Sequence, residues 1–153
     1  MRANPQGRFV NLQPLLDKVK QEYFSEYSDR WEFSHCEIGW GKQHHKLPRR
    51  ISRFGSIRIG EFPMWSTILM NSFLDHPAYP VQELEATIYH ELCHLVEPPQ
   101  NFEFRRKIHH GGFKKLLNEH PYMNQHEKWA RVGFHQWASF YIFPGQWSMP
   151  DPG

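Results

Sequence analysis

The residues best placed to do chemistry are in the segment His90-Glu91-Leu92-Cys93-His94, where two histidines stand four positions apart. In an α-helix, residues four apart project from one face, so both imidazoles can reach one ion. Glu91 follows the first histidine, so its carboxylate can hydrogen-bond a water on that ion instead of filling a coordination position. The spacing predicts a zinc site with His90 and His94 as ligands and Glu91 as general base.

A catalytic zinc site has three protein ligands and an open position for water, so a third ligand must come from outside this segment. His109 and His110 are candidates because they stand 15 and 16 residues after His94, where a chain reversal can return them to the metal. Glu97 and Glu103 are competitors, but Glu97 lies too close to the helix end and Glu103 lies in the middle of a predicted loop. The residue types alone leave His109 and His110 both open.

The motif falls within an amphipathic helix predicted over residues 81–96 and ended by Pro98-Pro99. At about 100° per residue, the apolar stripe of this helix centres roughly 120–160° away from His90 and His94. The stripe consists of Leu84, Ile88, Leu92 and Leu95. A chain with 11 histidines can contain such a motif by chance, but histidines that avoid the core stripe favour the functional interpretation.

The rest of the pattern predicts an α+β fold, a small domain with a mainly antiparallel sheet packed on an N-terminal helix and on the motif helix. Apolar residues recur every three or four positions over residues 12–27, which indicates the N-terminal helix. Short, partly alternating apolar stretches cut by glycines predict strands within residues 31–40, 51–59 and 67–71.

The second half of the chain must return the third ligand. A loop is expected over residues 101–108, and a helix around Phe113 after the glycine pair at 111 and 112. Residues 129–143 predict a last aromatic-rich helix or an irregular packing segment, with coil after Pro144.

Length and composition predict one domain over residues 1–153, with an ordinary hydrophobic fraction of 39% and charged fraction of 22%. Cys36 and Cys93 form no CxxC pair and suggest no disulfide framework. We find no run of 18 apolar residues and expect no signal peptide or membrane association. A cytoplasmic protein fits these features best, and its oligomeric state stays open.

A basic run over residues 46–58 is the feature that bears on nucleic acid. Such a run can bind phosphate groups, but it is more often the solvated face of a strand. The net charge of +2 is too small to indicate nucleic acid by itself. DNA association therefore stays a weak expectation. The basic residues of the run are Lys46, Arg49, Arg50, Arg53 and Arg58.

The segments 88–94 and 108–114 together resemble the SprT-like family of zincin metallopeptidases, which includes the Spartan proteases that act on DNA–protein crosslinks. In that family the third ligand is typically a histidine four residues before an aromatic residue at the start of the next helix. On this sequence the aromatic residue is Phe113 and the ligand is His109. The family usually has a short residue after this histidine, whereas here His110 follows.

The resemblance covers about residues 66–119 and implies zinc-dependent hydrolysis of peptide bonds in a protein or peptide substrate, including DNA-associated proteins. Zinc held by His90, His94 and His109 would lower the pKa of its water toward about 7, and Glu91 would carry the proton to the leaving amine. The strand at 67–71 is expected to pair with an extended substrate. Two alternatives stay open: a zinc nuclease, and a non-catalytic binding module in which a fourth side chain closes the zinc site.

Overall fold

The computed structural model describes residues 3–42, 53–60, 65–102 and 105–142 and has the α+β fold that the sequence predicts. The helices are α1 (Gln13–Tyr23), α2 (Trp31–Ser34), α3 (Val81–Val96), α4 (Gly111–Asn118), α5 (Met123–Lys128) and α6 (Phe134–Tyr141). The strands are β1 (Cys36–Trp40), β2 (Gly55–Ile59), β3 (Ser66–Met70), β4 (Gln100–Phe102) and β5 (Arg105–Lys107). Short 3₁₀ turns follow α1 and β3, and a π-helical turn (Trp129–Gly133) joins α5 to α6.

The main sheet has the strand order β1-β3-β2, so β3 lies in its centre. Strand β2 pairs with β3 in antiparallel register, while β1 pairs with β3 in parallel register. Strands β4 and β5 form a separate antiparallel pair. The described pairings are therefore mainly antiparallel, as predicted. The parallel pairing of β1 with β3 was not predicted from the sequence.

Helix α3 lies at the centre of the core and holds the motif in place. It is buried over most of its surface, including the predicted stripe of leucine and isoleucine residues. Helix α1 packs against it through the buried Leu16 and Val19. On its other side α3 contacts β2, where a Cβ on Gly55 would lie 3.2 Å from Cγ2 of Thr87. Because both contacts are close, α3 has little freedom to move relative to the sheet.

Three segments differ from the sequence-based expectation. Residues 31–34, expected as strand, form α2, because Ser34 and His35 donate backbone hydrogen bonds to Arg30 and Trp31. Part of the loop expected over 101–108 is the β4–β5 hairpin. The segment 129–141 is helical, but with a π turn at its start. The tail after Pro144 lies outside the described residues.

No helix in the described part of the chain combines the length and the apolar character that a membrane crossing needs.

Candidate metal centre

Three imidazoles converge on one point between α3 and α4. His90 and His94 come from α3, and His109 comes from the turn that leads into α4. Their candidate ligand atoms all lie within 4.8 Å of one another. The ring centroids are 5.1 Å apart for His90 and His94, 5.1 Å for His94 and His109, and 5.4 Å for His90 and His109. This histidine triad, His90, His94 and His109, can hold a metal ion.

The ring of Phe113 contacts all three imidazoles of the triad. Its ring is 1% exposed and stacks on His94 at a centroid distance of 4.5 Å. It also lies 4.8 Å from the ring of His109 and 5.2 Å from that of His90. Because Phe113 is in the first turn of α4, the same turn that positions the aromatic ring also positions His109. The rigid ring limits the rotamers of the triad.

His110, the other candidate for third ligand, has a different environment. Its side chain is 2% exposed, and its Nε2 lies 2.9 Å from the carbonyl oxygen of Pro98. Its backbone carbonyl accepts the hydrogen bond of Lys114 in the first turn of α4. Glu97 lies 4.0 Å from this imidazole and outside the triad. Glu103, the remaining competitor, lies outside the described residues.

The electrostatic environment keeps the triad neutral. Burial, together with the nearby imidazoles of His94 and His109, lowers the pKa of His90 to about 3. Burial and His109 lower the pKa of His94 to about 4. Burial also lowers the pKa of His109. Since only the neutral imidazole binds a metal, these histidines are in the ligand form at neutral pH.

Glu91 is buried beside the triad, with 6% of its surface exposed. Burial raises the pKa of this carboxyl to about 7, and the positive charge of Arg53 acts in the opposite direction. The side chain lines the same cleft as the three histidines. A carboxyl group with a pKa near neutrality can both accept and release a proton at physiological pH, as a general base needs to do.

The triad and Glu91 open into a cleft of about 780 Å³ between β2, α3 and α5. Residues 53–57 and 59 form one wall of this cleft. Strand β3, expected to pair with substrate, has β1 and β2 on its two sides, so that expectation is wrong. Strand β2 is the edge strand beside the triad, because in the described residues it pairs with β3 alone.

Three imidazole nitrogens form a donor set that can hold a transition-metal ion, of which zinc is one. Zinc holds imidazole nitrogens at about 2.0–2.1 Å in a tetrahedron, which places them roughly 3.4 Å apart. Within the described ranges, the group of possible ligands contains the three histidines without a fourth His, Cys, Asp or Glu.

Sequence reasoning missed a buried polar cluster on the far side of the cleft, formed by Glu83, Tyr122 and His126. Glu83 had the pattern of an acidic residue in the first turn of a helix, and it is instead 1% exposed. Its partners come from α5 and the residue before it, about forty positions further along the chain, so no local spacing indicates the cluster.

Aromatic residues of the segment 129–141 and the basic run are not part of the triad. Trp137 packs on Tyr79 at a centroid distance of 4.9 Å, and the indole of Trp129 donates to the hydroxyl of Tyr79. Of the basic run, Arg53 and Arg58 are exposed on and beside β2, and Lys46, Arg49 and Arg50 lie outside the described residues.

Comparison of the chain with protein-family models, with curated proteins and with solved structures found no match.

Proposed function

We propose that this protein is a zinc-dependent metallopeptidase that hydrolyses peptide bonds. The observation that carries the proposal is the arrangement of the histidine triad and Glu91, which share one open cleft. His90, His94 and His109 would hold the ion. Bound zinc supplies the Lewis acidity that makes water acidic enough to yield hydroxide near neutral pH.

Glu91 handles the protons of the reaction. Its carboxylate takes a proton from water as the oxygen attacks the scissile carbonyl carbon, and it returns that proton to the amine nitrogen as the C–N bond breaks. The products are a carboxylic acid and an amine, so the proton balance closes without another reactant. Burial supports this role because it brings the pKa of Glu91 to about 7.

The edge of β2 supports a peptide as the substrate. An extended peptide can add to an open strand edge through backbone hydrogen bonds. Strand β2 runs along one wall of the cleft, and its residues Ser56 and Ile57 line that wall. A peptide paired with β2 would therefore pass in front of Glu91 and the triad. DNA-associated proteins are the substrate class that the SprT-like resemblance adds to this proposal.

Two alternatives make different demands on these residues. A zinc nuclease with three histidine ligands has no need of a glutamate next to the first histidine. A module that uses zinc for stability alone would close the fourth position with a side chain. The three-residue donor set among the described residues supports the open, catalytic site.

The decisive experiment combines metal analysis with one substitution. The purified chain should contain about one zinc, as expected for a site of three histidines with an open position, and should cleave an unfolded protein such as reduced, alkylated casein. Glu91→Gln should retain zinc and lose about 10²–10⁴-fold in kcat. Glu85→Gln is the matched control, because Glu85 lies on the same helix but pairs with Lys18 at the surface.

Each result has a definite meaning. Failure to bind zinc would remove the metallopeptidase proposal. Zinc binding with equal activity of the wild type and Glu91→Gln would remove the general-base role and favour the nuclease, which a parallel assay on single-stranded DNA would detect. An equal loss of kcat in Glu85→Gln would show that either substitution disturbs the helix and that the carboxylate of Glu91 has no specific role.

A further inference from the structure

A second polar side chain, besides Glu91 and the triad, lines the cleft. His126, on α5, lines the same cleft as His90 and Glu91 and is 7% exposed. Its Nδ1 lies 2.5 Å from Oε2 of Glu83. It is not part of the triad, because its ring nitrogens lie beyond the 4.8 Å grouping that joins the other three. His126 therefore lies in the cleft without belonging to the group of candidate ligands.

Glu83 fixes the orientation of this imidazole. The carboxylate is 1% exposed, and burial of a charge that has no partner is costly. Both of its oxygens have partners: Oε1 accepts a hydrogen bond of 2.5 Å from the hydroxyl of Tyr122, and Oε2 pairs with His126. The ring of His126 is held from another side by the edge-on ring of Phe54, at a centroid distance of 6.0 Å.

The contact with Glu83 leaves the other ring nitrogen for the cleft. Nε2 of His126 has no hydrogen-bond partner within the described ranges, whereas Nδ1 is engaged. When the ring carries both protons, Nε2–H is a hydrogen-bond donor directed away from Glu83. Tyr122 cannot serve the cleft in the same way, since its hydroxyl proton is directed at Glu83.

We propose that His126 is a catalytic residue of this peptidase, and that its Nε2–H donates a hydrogen bond to the oxyanion that forms when the scissile carbonyl is attacked. Glu83 and Tyr122 are positioning residues that act through His126. The inference rests on the proposed function and adds to it the group that stabilises the transition state. A preorganised donor of this kind typically contributes about 10²–10³-fold in kcat.

The test uses amides that replace one ring nitrogen at a time. The amide nitrogen of Asn lies near the position of Nδ1 of His, and that of Gln lies near the position of Nε2. His126→Asn should therefore keep the contact with Glu83 and lose the donor in the cleft, while His126→Gln should keep the donor. We expect kcat to fall about 10²–10³-fold in His126→Asn, with KM changed less than about threefold, and to recover at least tenfold in His126→Gln.

A binding measurement makes the result independent of turnover. The probe is the phosphinic dipeptide in which –PO₂–CH₂– replaces the amide of Phe-Leu, because its tetrahedral anion mimics the intermediate. The zinc-loaded His126→Asn protein should bind it at least tenfold more weakly than the wild type and His126→Gln, with zinc content unchanged. Glu83→Gln should also weaken it, because the ring loses the carboxylate that holds Nδ1–H.

The control is His76→Phe, which removes a part-buried imidazole outside the cleft whose Nδ1 accepts a hydrogen bond from the backbone N–H of Ala78. It should leave zinc content, kcat and binding of the probe within twofold of the wild type. Equal binding of the probe by the wild type and His126→Asn would overturn the inference and leave the metallopeptidase proposal standing. A chain that binds no zinc would overturn both, whereas probe binding that depends on His126 without peptide hydrolysis would overturn only the assignment of the substrate.

Discussion

Two groups of histidines in this protein have the same chemistry and different surroundings. The ring nitrogens of the triad have no hydrogen-bond partner in the part of the chain that the structure describes, and their rings contact one another and Phe113. His110, His120 and His126, the partnered histidines, are each less than 9% exposed, and each has a ring nitrogen within hydrogen-bond distance of another residue. The two groups therefore differ in whether a ring nitrogen has a hydrogen-bond partner in the described part of the chain.

That difference has a chemical basis. A ring nitrogen without a partner in the fold keeps its lone pair for a ligand or for solvent, and the three nitrogens of the triad lie close enough for one ion. A metal ion satisfies all three at once. In the partnered histidines the compensation comes from the fold itself, from the carbonyl of Pro98 and from the carboxylate of Glu83. Unpartnered imidazoles at one point therefore indicate a ligand site, while a hydrogen-bonded ring nitrogen indicates an imidazole whose orientation is fixed by the fold.

His109 and His110 allow the sharpest test, since they are neighbours with opposite surroundings. His109→Ala should lower zinc affinity at least about 100-fold, since even partners of metal ligands contribute 10–100-fold. His110→Ala should change it less than about tenfold, because its imidazole points to Pro98. A competition titration with a chromophoric chelator measures both. An equal loss in the two variants would end the distinction between the groups.

In the metal-free protein, the free energy of unfolding should fall more in His110→Ala than in His109→Ala. His110→Ala should lower the free energy of unfolding by about 1–3 kcal/mol, because it removes the partner of the Pro98 carbonyl and leaves a cavity. His109 is exposed, so His109→Ala should change it by less than about 0.5 kcal/mol. Urea unfolding with chelator present gives both values. A larger effect of His109→Ala would mean that His109, too, is a structural residue.

The sequence predicts the triad much better than it predicts the partnered histidines. The spacing of His90 and His94 and the apolar stripe define both the helix and its metal face, because both follow from one local period of 3.6 residues. The bounds predicted for this helix, 81–96, are those of α3. His109 stayed one of two alternatives until the resemblance was considered, since the choice depends on how α4 packs against α3.

What the sequence missed depends on distant contacts. The carboxylate of Glu83 meets His126 across 43 positions of chain, and neither residue has a local spacing that signals the contact. The same applies to the central position of β3, because strand order is set by which strands meet and not by the pattern within each strand. Residues 31–34 became helical through hydrogen bonds of a single turn, where an apolar pair had suggested a strand.

The free energy of unfolding of the metal-free protein should decrease as the pH falls below 6.5, because of the triad. The pKa values of His90 and His94, about 3 and about 4 in the folded chain, lie below their ordinary value of 6.5, so the unfolded chain binds more protons as pH falls below 6.5. Glu91 acts in the opposite sense, because its folded pKa of about 7 lies above its ordinary 4.5. Two groups oppose one, so we expect a net loss on the order of 1 kcal/mol between pH 6.5 and 4.5.

Urea unfolding at several pH values, with chelator present, tests this prediction. Glu91→Gln should make the loss steeper, because the opposing contribution is gone. His90→Phe should make it shallower, since one of the two titrating imidazoles is removed while the ring contact with Phe113 can persist. Stability that is level or rises from pH 6.5 to 4.5 would show that His90 and His94 are not held in the neutral state by partial burial.

The smallest expected effect is that of Arg53 on the pKa of Glu91, the carboxyl group beside the triad. No hydrogen bond within the described ranges satisfies Glu91, and the charge of Arg53 lowers its pKa against the effect of burial. Arg53 is exposed, so its interaction is worth less than about 1 kcal/mol and Arg53→Gln should raise the pKa of Glu91 by less than about one unit. Carbon NMR of the Glu91 carboxyl in the metal-free protein measures it.

Arg58→Gln is the matched control, because Arg58 is an exposed arginine on the same strand that does not line the cleft. Its substitution should leave the pKa of Glu91 unchanged within about 0.2 units, since charges at the surface are screened over about 8–10 Å. Equal shifts in the two variants would mean that Glu91 responds to the net charge of β2. A shift in Arg53→Gln alone would mean that a carboxyl group without a hydrogen-bond partner is tuned by one neighbouring charge, as the triad is tuned by burial.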